Sequence, residues 1–188
     1  MKRTAYIHPN AIVESNDVGE KTRIWAFVHV LKGASIGTDC NICDHCFIEN
    51  DVVIGNNVTI KSGVYIWDGV KIEDNVFIGA NVAFTNDIYP RSKVYPEQFM
   101  RTLVKEGASI GANSVLIPNI VIGRYAMIGA GSVVNRSVKD YELIYGNPAR
   151  HRGFICKCKE KVNFRQKKMV KCSCGLTYFL EKDIVGET

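Results

Sequence analysis

The sequence predicts an all-β solenoid, in which short strands joined by corners coil around one apolar column. The first observation is a spacing: from Ile12 to Phe84, an aliphatic or aromatic residue recurs at every sixth position. The second is that a small or apolar residue follows four positions later, as at Cys40, Cys46 and Val52. An α-helix repeats at about 3.6 residues and a strand at two, so neither explains this period.

The third observation is the residue type between the apolar positions. Three residues after each aliphatic residue the chain favours types that tolerate a positive φ: Gly33, Asp39, Asp51, Asn57, Gly63, Gly69, Asn75 and Asn81. Each six-residue unit is therefore a short strand and a corner, and three units make one triangular turn. A single unit cannot bury its apolar side alone, so the coils must stack.

Stacking predicts which residues lie above one another. An outward column on a flat face reads His29, Phe47, Tyr65 and Ala83, and a corner column reads Lys32, Asn50, Asp68 and Asn86. Large outward aromatic side chains, together with Trp25 and Trp67 at corners, predict a face that packs on another subunit. Residues 1–11 are expected to form a lead-in strand, in which Tyr6 and Ile7 begin the core column.

The period breaks after Phe84 and resumes at Val104. We read this gap as one coil plus two residues, which predicts a loop insertion over 86–103. The loop carries a cation, Arg91, and several aromatic residues where a plain loop needs only polar turn residues, so we expect it to have a function.

Length and composition predict one main domain, 1–149, with a small C-terminal extension, 150–188. The chain has 188 residues, of which 46% are hydrophobic. It has no apolar run of the length of a signal peptide or a membrane span, so we expect a cytoplasmic protein without a membrane partner. Its seven cysteines are then reduced core residues or metal ligands rather than disulfides.

The net charge of +5 comes from the extension, where residues 150–171 hold nine Lys or Arg and one acid, Glu160. Such a segment can attract nucleic acid or the phosphates of a cofactor, or simply be solvated. The aromatic interleaving typical of a nucleic-acid platform is absent, so nucleic acid is a minor alternative.

The cysteines separate by position. Cys40 and Cys46 occupy the inward position of the repeat, which favours a core role over a metal site in the run CNICDHC. The extension carries two close pairs that could form a four-thiolate zinc ribbon: Cys156, Cys158, Cys172 and Cys174. Its pairs have one intervening residue instead of the usual two, so structural zinc and four reduced thiols both remain open.

The hexapeptide period resembles that of left-handed parallel β-helix acyltransferases. With the insertion FTNDIYPRS and the terminal GNPAR, the chain is similar to nucleotide-sugar N-acetyltransferases that act on 3-amino sugars, especially dTDP-3-amino-3,6-dideoxyhexoses. This resemblance implies that acetyl-CoA is the acetyl donor. It also implies a homotrimer with active sites between subunits, and a product for surface polysaccharide or glycan assembly.

The resemblance also implies site residues. Asn86 would hold the reacting amine, while His29 is a second candidate as a base. The expected nucleotide-sugar contacts are Glu49, Trp67, Asp68, Thr85, Tyr89 and Arg91. The expected acetyl-CoA contacts are Gly111, Gly129, Ala130, Asn147, Pro148 and Arg150.

Three other functions remain open at this point. The acceptor could be a UDP-linked 3-amino uronate. A zinc hydrolase of the β-helical carbonic anhydrase type would need three converging histidines, but His8, His29, His45 and His151 include no close pair on adjacent repeat faces. A non-catalytic trimeric scaffold, in which the insertion recognises a partner, is the third.

Overall fold

The computed structural model describes residues 4–165, 167–181 and 184–187, and these residues contain no α-helix. Within this part of the chain there is accordingly no helical segment able to span a membrane. The strands are β1 Tyr6–Ile7, β2 Ile12–Val13, β3 Arg23–Ile24, β4 His29–Val30, β5 Ser35–Ile36, β6 Asn41–Ile42, β7 Phe47–Ile48, β8 Val53–Ile54, β9 Thr59–Ile60, β10 Tyr65–Ile66, β11 Val70–Ile72, β12 Phe77–Ile78, β13 Ala83–Phe84, β14 Thr102–Val104, β15 Ser109–Ile110, β16 Val115–Leu116, β17 Val121–Ile122, β18 Met127–Ile128, β19 Val133–Val134, β20 Glu142–Tyr145, β21 Arg150–Ile155, β22 Lys161–Val162, β23 Met169–Lys171, β24 Thr177–Glu181 and β25 Ile184–Glu187.

The first 20 strands form three parallel sheets, which are the faces of a triangular coil. Face A has the order β1-β3-β6-β9-β12-β15-β18-β20, face B is β2-β4-β7-β10-β13-β16-β19, and face C is β5-β8-β11-β14-β17. Successive strands on one face are usually one coil apart, as in the pairing of Ile48 with Ile66. The predicted solenoid is therefore confirmed.

The interior is one continuous column of aliphatic side chains. Ile42, Ile48, Ile60 and Ile66 are fully buried, and the second inward position of each repeat is buried as well. Cys40 and Cys46 belong to this column, at 2% and 1% exposure, which confirms their core role. Burial of each large aliphatic side chain stabilises the fold by about 1.5–3 kcal/mol, so the stack is held together along its whole length.

The corners use the predicted backbone conformation. Asp39, Asn57, Asn75 and Asn81 have φ between 54° and 61°, the left-handed region that Asn and Asp adopt with little strain. His45 has φ 61° at the same repeat position, so it is a turn residue. Ladders of hydrogen bonds link equivalent corners, as where the amide of Asn57 donates to Oδ1 of Asn75 at 2.8 Å.

The first coil differs from the expectation. Val13 pairs with Val30, and Val30 pairs with Ile48, so the first coil is one residue shorter than the next. Val13 therefore takes the inward position, and Ile12 is 59% exposed. Tyr6 and Ile7 are also exposed and do not begin the core column. Tyr6 lies outward beside Arg23, whereas Ile7 lies in the inward register of Ile24 and is exposed because β1 is the end strand of face A in the described part of the chain.

The loop between β13 and β14 spans 85–101, close to the expected bounds, but it lengthens its coil by more than the two residues that the sequence reading implied. Val104 pairs with Ile72, and Ile72 pairs with Ile54. The step along the chain from Ile72 to Val104 is nearly twice the step from Ile54 to Ile72, so the insertion adds most of a coil's length to one coil, not two residues. The reading was wrong because Phe84 lies on face B and Val104 on face C, so the two are not equivalent positions.

The C-terminal extension turns back on the coil. β21 pairs antiparallel with β20 and with β22, and β23, β24 and β25 form a separate antiparallel sheet. Buried Glu142 joins the two parts, because it accepts bidentate hydrogen bonds from Arg136, at 2.7 and 3.2 Å, and one from Nδ1 of His151 at 3.0 Å. Burial opposes ionisation of Glu142, but the Arg136 hydrogen bond and the others hold its pKa below the usual range.

Candidate active site and four-cysteine cluster

The expected nucleotide-sugar residues of the coil lie together on one corner, between faces B and C. Glu49, Trp67 and Thr85 directly follow β7, β10 and β13, three neighbouring strands of face B. The backbone N–H of Asp68 donates to Oε2 of Glu49 at 2.7 Å, and the N–H of Asp51 donates to Oδ1 of Asp68 at 2.6 Å. These bonds to successive coils hold both carboxylates in place at the corner.

An aromatic patch lies beside this corner on face B. The ring centroid of Trp67 is 5.7 Å from that of Phe47 and 6.1 Å from that of Tyr65, and Phe47 and Tyr65 are 6.4 Å apart in an edge-to-face contact. The predicted register is confirmed, since Tyr65 pairs with both Phe47 and Ala83. Tyr65 is 51% exposed, so the patch is open in the single chain.

Asn86 stands where the insertion leaves the coil. Its backbone carbonyl accepts the N–H of Met100 at 3.2 Å, which draws the two ends of the loop together. In the part of the chain that the structure describes, its side-chain amide has no hydrogen-bond partner. The carboxamide is therefore available to a ligand at this corner.

The insertion itself is held by local backbone bonds. The N–H of Tyr89 donates to Oδ1 of Asp87 at 2.9 Å, and the N–H of Val94 donates to the carbonyl of Arg91 at 3.1 Å. Nη1 of Arg91 donates to the carbonyl of Pro90 at 3.1 Å. Tyr89 is 84% exposed, and Arg91 is exposed too, so the side chains that sequence analysis selected face solvent in the single chain.

The expected acetyl-CoA residues line a different corner, between faces A and B. Gly111 and Gly129 occupy equivalent positions on successive coils, and an added Cβ at Gly129 would lie 2.7 Å from Cβ of Tyr145. Asn147 and Pro148 follow β20 at the same corner, and Arg150 pairs with Tyr145. Glycine is thus required by the close stacking of coils at this corner.

His29 is separated from Asn86 within one chain. On face B, β4 is three strands from β13, which corresponds to roughly 14 Å at the usual strand spacing. Nε2 of His29 lies 2.9 Å from Oε1 of Glu14, and its ring packs edge-on against Phe47 at 5.5 Å. A role for His29 at Asn86 therefore needs a second chain.

The structure brings the four cysteines of the extension together. Their sulfur atoms all lie within 4.8 Å of one another. Sγ of Cys156 is 3.4 Å from that of Cys174, and Sγ of Cys158 is 3.5 Å from that of Cys172. Cys156 and Cys172 are buried, while Cys158 and Cys174 are exposed.

Tyr178, which was not predicted from the sequence, is fully buried beside the cluster. Its hydroxyl donates to Sγ of Cys156 at 3.1 Å and accepts the backbone N–H of Lys157 at 3.2 Å. Burial opposes ionisation of Cys156, but the bond from Tyr178 and other hydrogen bonds lower the pKa of its thiol to about 7. A tyrosine four residues after the last cysteine carries no signal in the sequence that would distinguish it from a core residue.

Two grooves were not predicted, because both lie where a non-repeating segment meets the coil. One lies on face C at the root of the insertion, with a volume of about 400 Å³ and with Lys71 and Arg101 in its lining. The other, the face-A groove, has a volume of about 560 Å³ and lies between the coil and the extension. Its lining includes Phe77, Ser109, Gly111, Tyr125, Met127, Ile155, Cys156, Lys157 and Lys159.

Comparison with known families agrees with this architecture. The family of bacterial transferase hexapeptide repeats matches residues 51–86 and 101–136. The unmatched residues between these ranges are part of the insertion, so the repeat resumes on its far side.

Individual proteins similar to this chain indicate which branch of the family it belongs to. The chain is 64% identical to the dTDP-3-amino-3,6-dideoxy-α-D-galactopyranose 3-N-acetyltransferase of Aneurinibacillus thermoaerophilus, over 98% of this chain and 95% of that protein. Among solved structures it is similar to a hexapeptide-repeat acetyltransferase from Vibrio cholerae in complex with acetyl-CoA, with a TM-score of 0.57, 27% identity, and coverage of 65% and 70% of the two chains. The polysialic-acid-specific acetyltransferase NeuO, at 17% identity and a TM-score of 0.55 over 79% of this chain and 74% of that one, shares the fold.

The near full-length relative, the repeat match and the coil geometry agree with one another. The chain therefore belongs to the left-handed β-helix family of hexapeptide-repeat transferases, among its sugar-nucleotide N-acetyltransferases.

Proposed function

We propose that this protein transfers the acetyl group of acetyl-CoA to the 3-amino group of a dTDP-linked 3-amino-3,6-dideoxyhexose, for surface polysaccharide or glycan assembly. The observation that carries the proposal is the 64% identity, over almost the whole length of both chains, to an enzyme named for that reaction. The arrangement of the coil supports it, because the expected sugar and acetyl-CoA residues lie on the two corners that border face B.

The reaction needs orientation more than a reactive side chain. The neutral amine attacks the thioester carbonyl, a C–N bond forms, the C–S bond breaks, and the amine proton passes to the departing thiolate. In this proposal the side-chain carbonyl of Asn86 accepts an N–H of the amine and aims its lone pair at the thioester. A backbone N–H at a neighbouring corner stabilises the oxyanion.

We propose that the active form is a homotrimer with sites between subunits. Within one chain, the corner with Gly111 and the corner with Asn86 lie on opposite edges of face B, on the order of 15 Å apart for a face of this strand length. A neighbouring subunit can bring its own acetyl-CoA corner next to Asn86. Packing on face B would also cover Tyr65 and the half-buried Phe47, and would bring His29 toward a shared site.

The remaining ligands follow from the same proposal. Arg91 binds the diphosphate of the nucleotide, since a guanidinium can bind phosphate oxygens bidentately. The cytoplasm is the proposed compartment, because acetyl-CoA is available there and free thiols persist there. For the four thiols of the extension we propose a structural zinc ion that takes no part in acetyl transfer.

Incubation with acetyl-CoA and a panel of amino-sugar nucleotides tests the function directly. We expect free CoA thiol to appear with dTDP-3-amino-3,6-dideoxyhexoses and the acetylated sugar to be found by mass spectrometry. The galactose and glucose epimers, and a UDP-linked 3-amino uronate, make up the panel. Thiol release with the uronate alone would show that the acceptor is the uronate and not a dTDP-linked sugar. If no compound of the panel gives thiol release, the non-catalytic scaffold would be the better hypothesis.

Asn86→Ala should lower kcat by about 100-fold, the scale of a lost positioning contact, with little change in thermal stability. Asn50→Ala is the matched control, since Asn50 lies two coils away in the same corner column, where Oδ1 accepts the N–H of Gly33. The control should keep near-parental turnover. A kcat within twofold of the parent for Asn86→Ala would remove its assigned role.

Arg91→Ala should weaken dTDP binding by about 1.5–3 kcal/mol, the range for a hydrogen bond to a charged group, while acetyl-CoA binding is unchanged. Arg91→Lys should recover part of the lost affinity, because lysine keeps the positive charge but cannot form the bidentate hydrogen bonds of a guanidinium. Lys93→Ala, a neighbouring cation of the same loop, is the control in calorimetric titration. Equal dTDP affinity for parent and Arg91→Ala would contradict the phosphate-binding role.

Tyr65→Lys should dissociate the trimer and abolish activity, because it places a charge in the aromatic patch of face B. Val53→Lys, at an exposed position of face C, should remain trimeric and active. Multi-angle light scattering with parallel activity measurement checks both variants. A parent protein that is monomeric and fully active would refute the shared site.

A further inference from the structure

We infer that the zinc ion fastens the extension to the last coils, and that the face-A groove exists only while the ion is bound. This inference rests on the zinc site proposed above and adds a role for it. The observations that carry it are the symmetry of the cluster, the spacing of its sulfur atoms and a continuous chain of contacts from the cluster to the coil.

The two cysteine pairs are built as matching knuckles. In the first, the N–H of Lys159 donates to the carbonyl of Cys156 at 2.8 Å, and in the second, the N–H of Gly175 donates to that of Cys172 at 3.0 Å. The residue after the second cysteine has positive φ in both, 77° at Lys159 and 97° at Gly175. Both turns are three-residue hairpin loops with a bulge, a common type, and they present the two cysteine pairs in equivalent positions with all four sulfur atoms close together.

Each knuckle is also closed by a second, equivalent bond. The N–H of Cys156 donates to the carbonyl of Glu160, and the N–H of Cys172 donates to that of Leu176, both at 2.8 Å. The first cysteine of each pair is buried and the second is exposed. The one-residue spacing within each pair, unusual for a zinc knuckle, is therefore accommodated by the turn that follows it.

The sulfur positions fit a tetrahedral ion. With Zn–S distances of about 2.3 Å, tetrahedral geometry places sulfur atoms roughly 3.8 Å apart. The closest cross-pairs are at 3.4 and 3.5 Å, and all four atoms lie within 4.8 Å. A disulfide needs about 2.05 Å, so the cluster is spaced for ligation rather than for two covalent bridges.

Cations and a hydroxyl donor around the cluster suit the charge of the complex, although one acid, Glu160, also places Oε2 at 3.8 Å from Sγ of Cys172. Four thiolates and one Zn²⁺ carry a net charge of −2. Lys157 and Lys159 lie within or next to the first knuckle and Lys171 next to the second, and the hydroxyl of Tyr178 donates to Sγ of Cys156. Donors directed at a ligating sulfur stabilise the thiolate and orient it.

A chain of contacts then leads from the metal ligands to the coil. The ring of Tyr178, bonded to Cys156, meets Tyr141 edge-on at 5.2 Å, and Tyr141 stacks on Tyr125 at 5.7 Å with planes 10° apart. Tyr125 and Tyr141 are corner residues of the last two coils, with φ 52° and 59°. The extension therefore docks through an aromatic column that ends at the metal ligands.

An ion pair of the extension, between Lys157 and Glu187, also contacts the coil residues Tyr125 and Tyr141. Nζ of Lys157 lies 4.7 Å from the ring centroid of Tyr125 and 2.5 Å from Oε2 of Glu187. Glu187 also accepts the hydroxyl of Tyr141 at 2.9 Å. Lys157 lies between two metal ligands, so the ion sets where this side chain meets the coil.

The pairing of β21 with β20 and the bond from His151 to Glu142 hold the start of the extension on the coil, but the part that follows has only a small core of its own. Its buried cluster consists of Tyr141, Cys156, Val162, Phe164, Cys172, Tyr178 and Val185, and includes two of the proposed ligands. Modules of about 40 residues or fewer usually need a metal or disulfides to fold. Ile155, Cys156, Lys157 and Lys159 form the extension side of the face-A groove, so release of the ion should remove that wall.

The experiment uses the full-length protein purified under reducing conditions. Metal analysis should find about one zinc per chain, and cobalt substitution should give the charge-transfer bands of a tetrathiolate site. Cys158→Ser with Cys174→Ser removes the exposed ligands without making a core cavity, and should abolish zinc binding. Cys43→Ser, at a half-buried coil corner, is the matched control and should keep it.

Hydrogen exchange then tests the docking role. Removal of zinc from the parent by a chelator should raise exchange of the amides in 154–160 by at least about tenfold and leave the buried coil strands protected, with reversal on zinc but not magnesium addition. Parent protein without zinc would overturn the zinc site and the inference with it. Zinc present but exchange unchanged on its removal would overturn the inference alone, and neither outcome depends on acetyl transfer.

Discussion

The burial of one coil by the next is the constraint on which the rest of this molecule depends. Each coil strand is only a few residues long, too short to be stable alone, but its parallel neighbours complete its backbone hydrogen bonds and cover its inward side chain. The core has no room to shift, because Ile60, Ile66 and their equivalents are fully enclosed. The corners are consequently placed by the core, and the residues proposed to contact ligands are placed by the corners.

The dependence of the fold on coil stacking explains which parts of the structure could be predicted from the sequence. The period of six determined the strands, the inward cysteines and the columns, because each of these properties is set by spacing along the chain. The first coil was misjudged because it is one residue shorter than the next, so Ile12 matches the period along the chain but takes an outward position. The insertion was misjudged because a gap in the period does not reveal on which face the coil resumes.

The candidate site likewise contains residues that could be predicted from the repeat and residues that could not. Residues at repeat positions, such as Trp67 and Gly111, could be assigned to corners from the sequence, and the structure places them there. Tyr178 and the grooves could not be found, because they depend on how a non-repeating segment folds back on the coil. The chemistry of Asn86 and Arg91 depends in turn on ligands and on a neighbouring chain, so their roles stay predictions.

The pairing of Val104 with Ile72 has a wider consequence for the insertion. The coil continues in register on both sides, and the bond from Met100 to Asn86 closes the loop at its base. Longer or shorter loops would leave from and return to the same two points, and the entropy of closure changes by only about 0.6 kcal/mol when a loop doubles in length. The coil can thus accept a different loop without adjustment. If the loop contacts the acceptor as proposed, acceptor preference could diverge among related enzymes while the core and the corner proposed for acetyl-CoA stay the same.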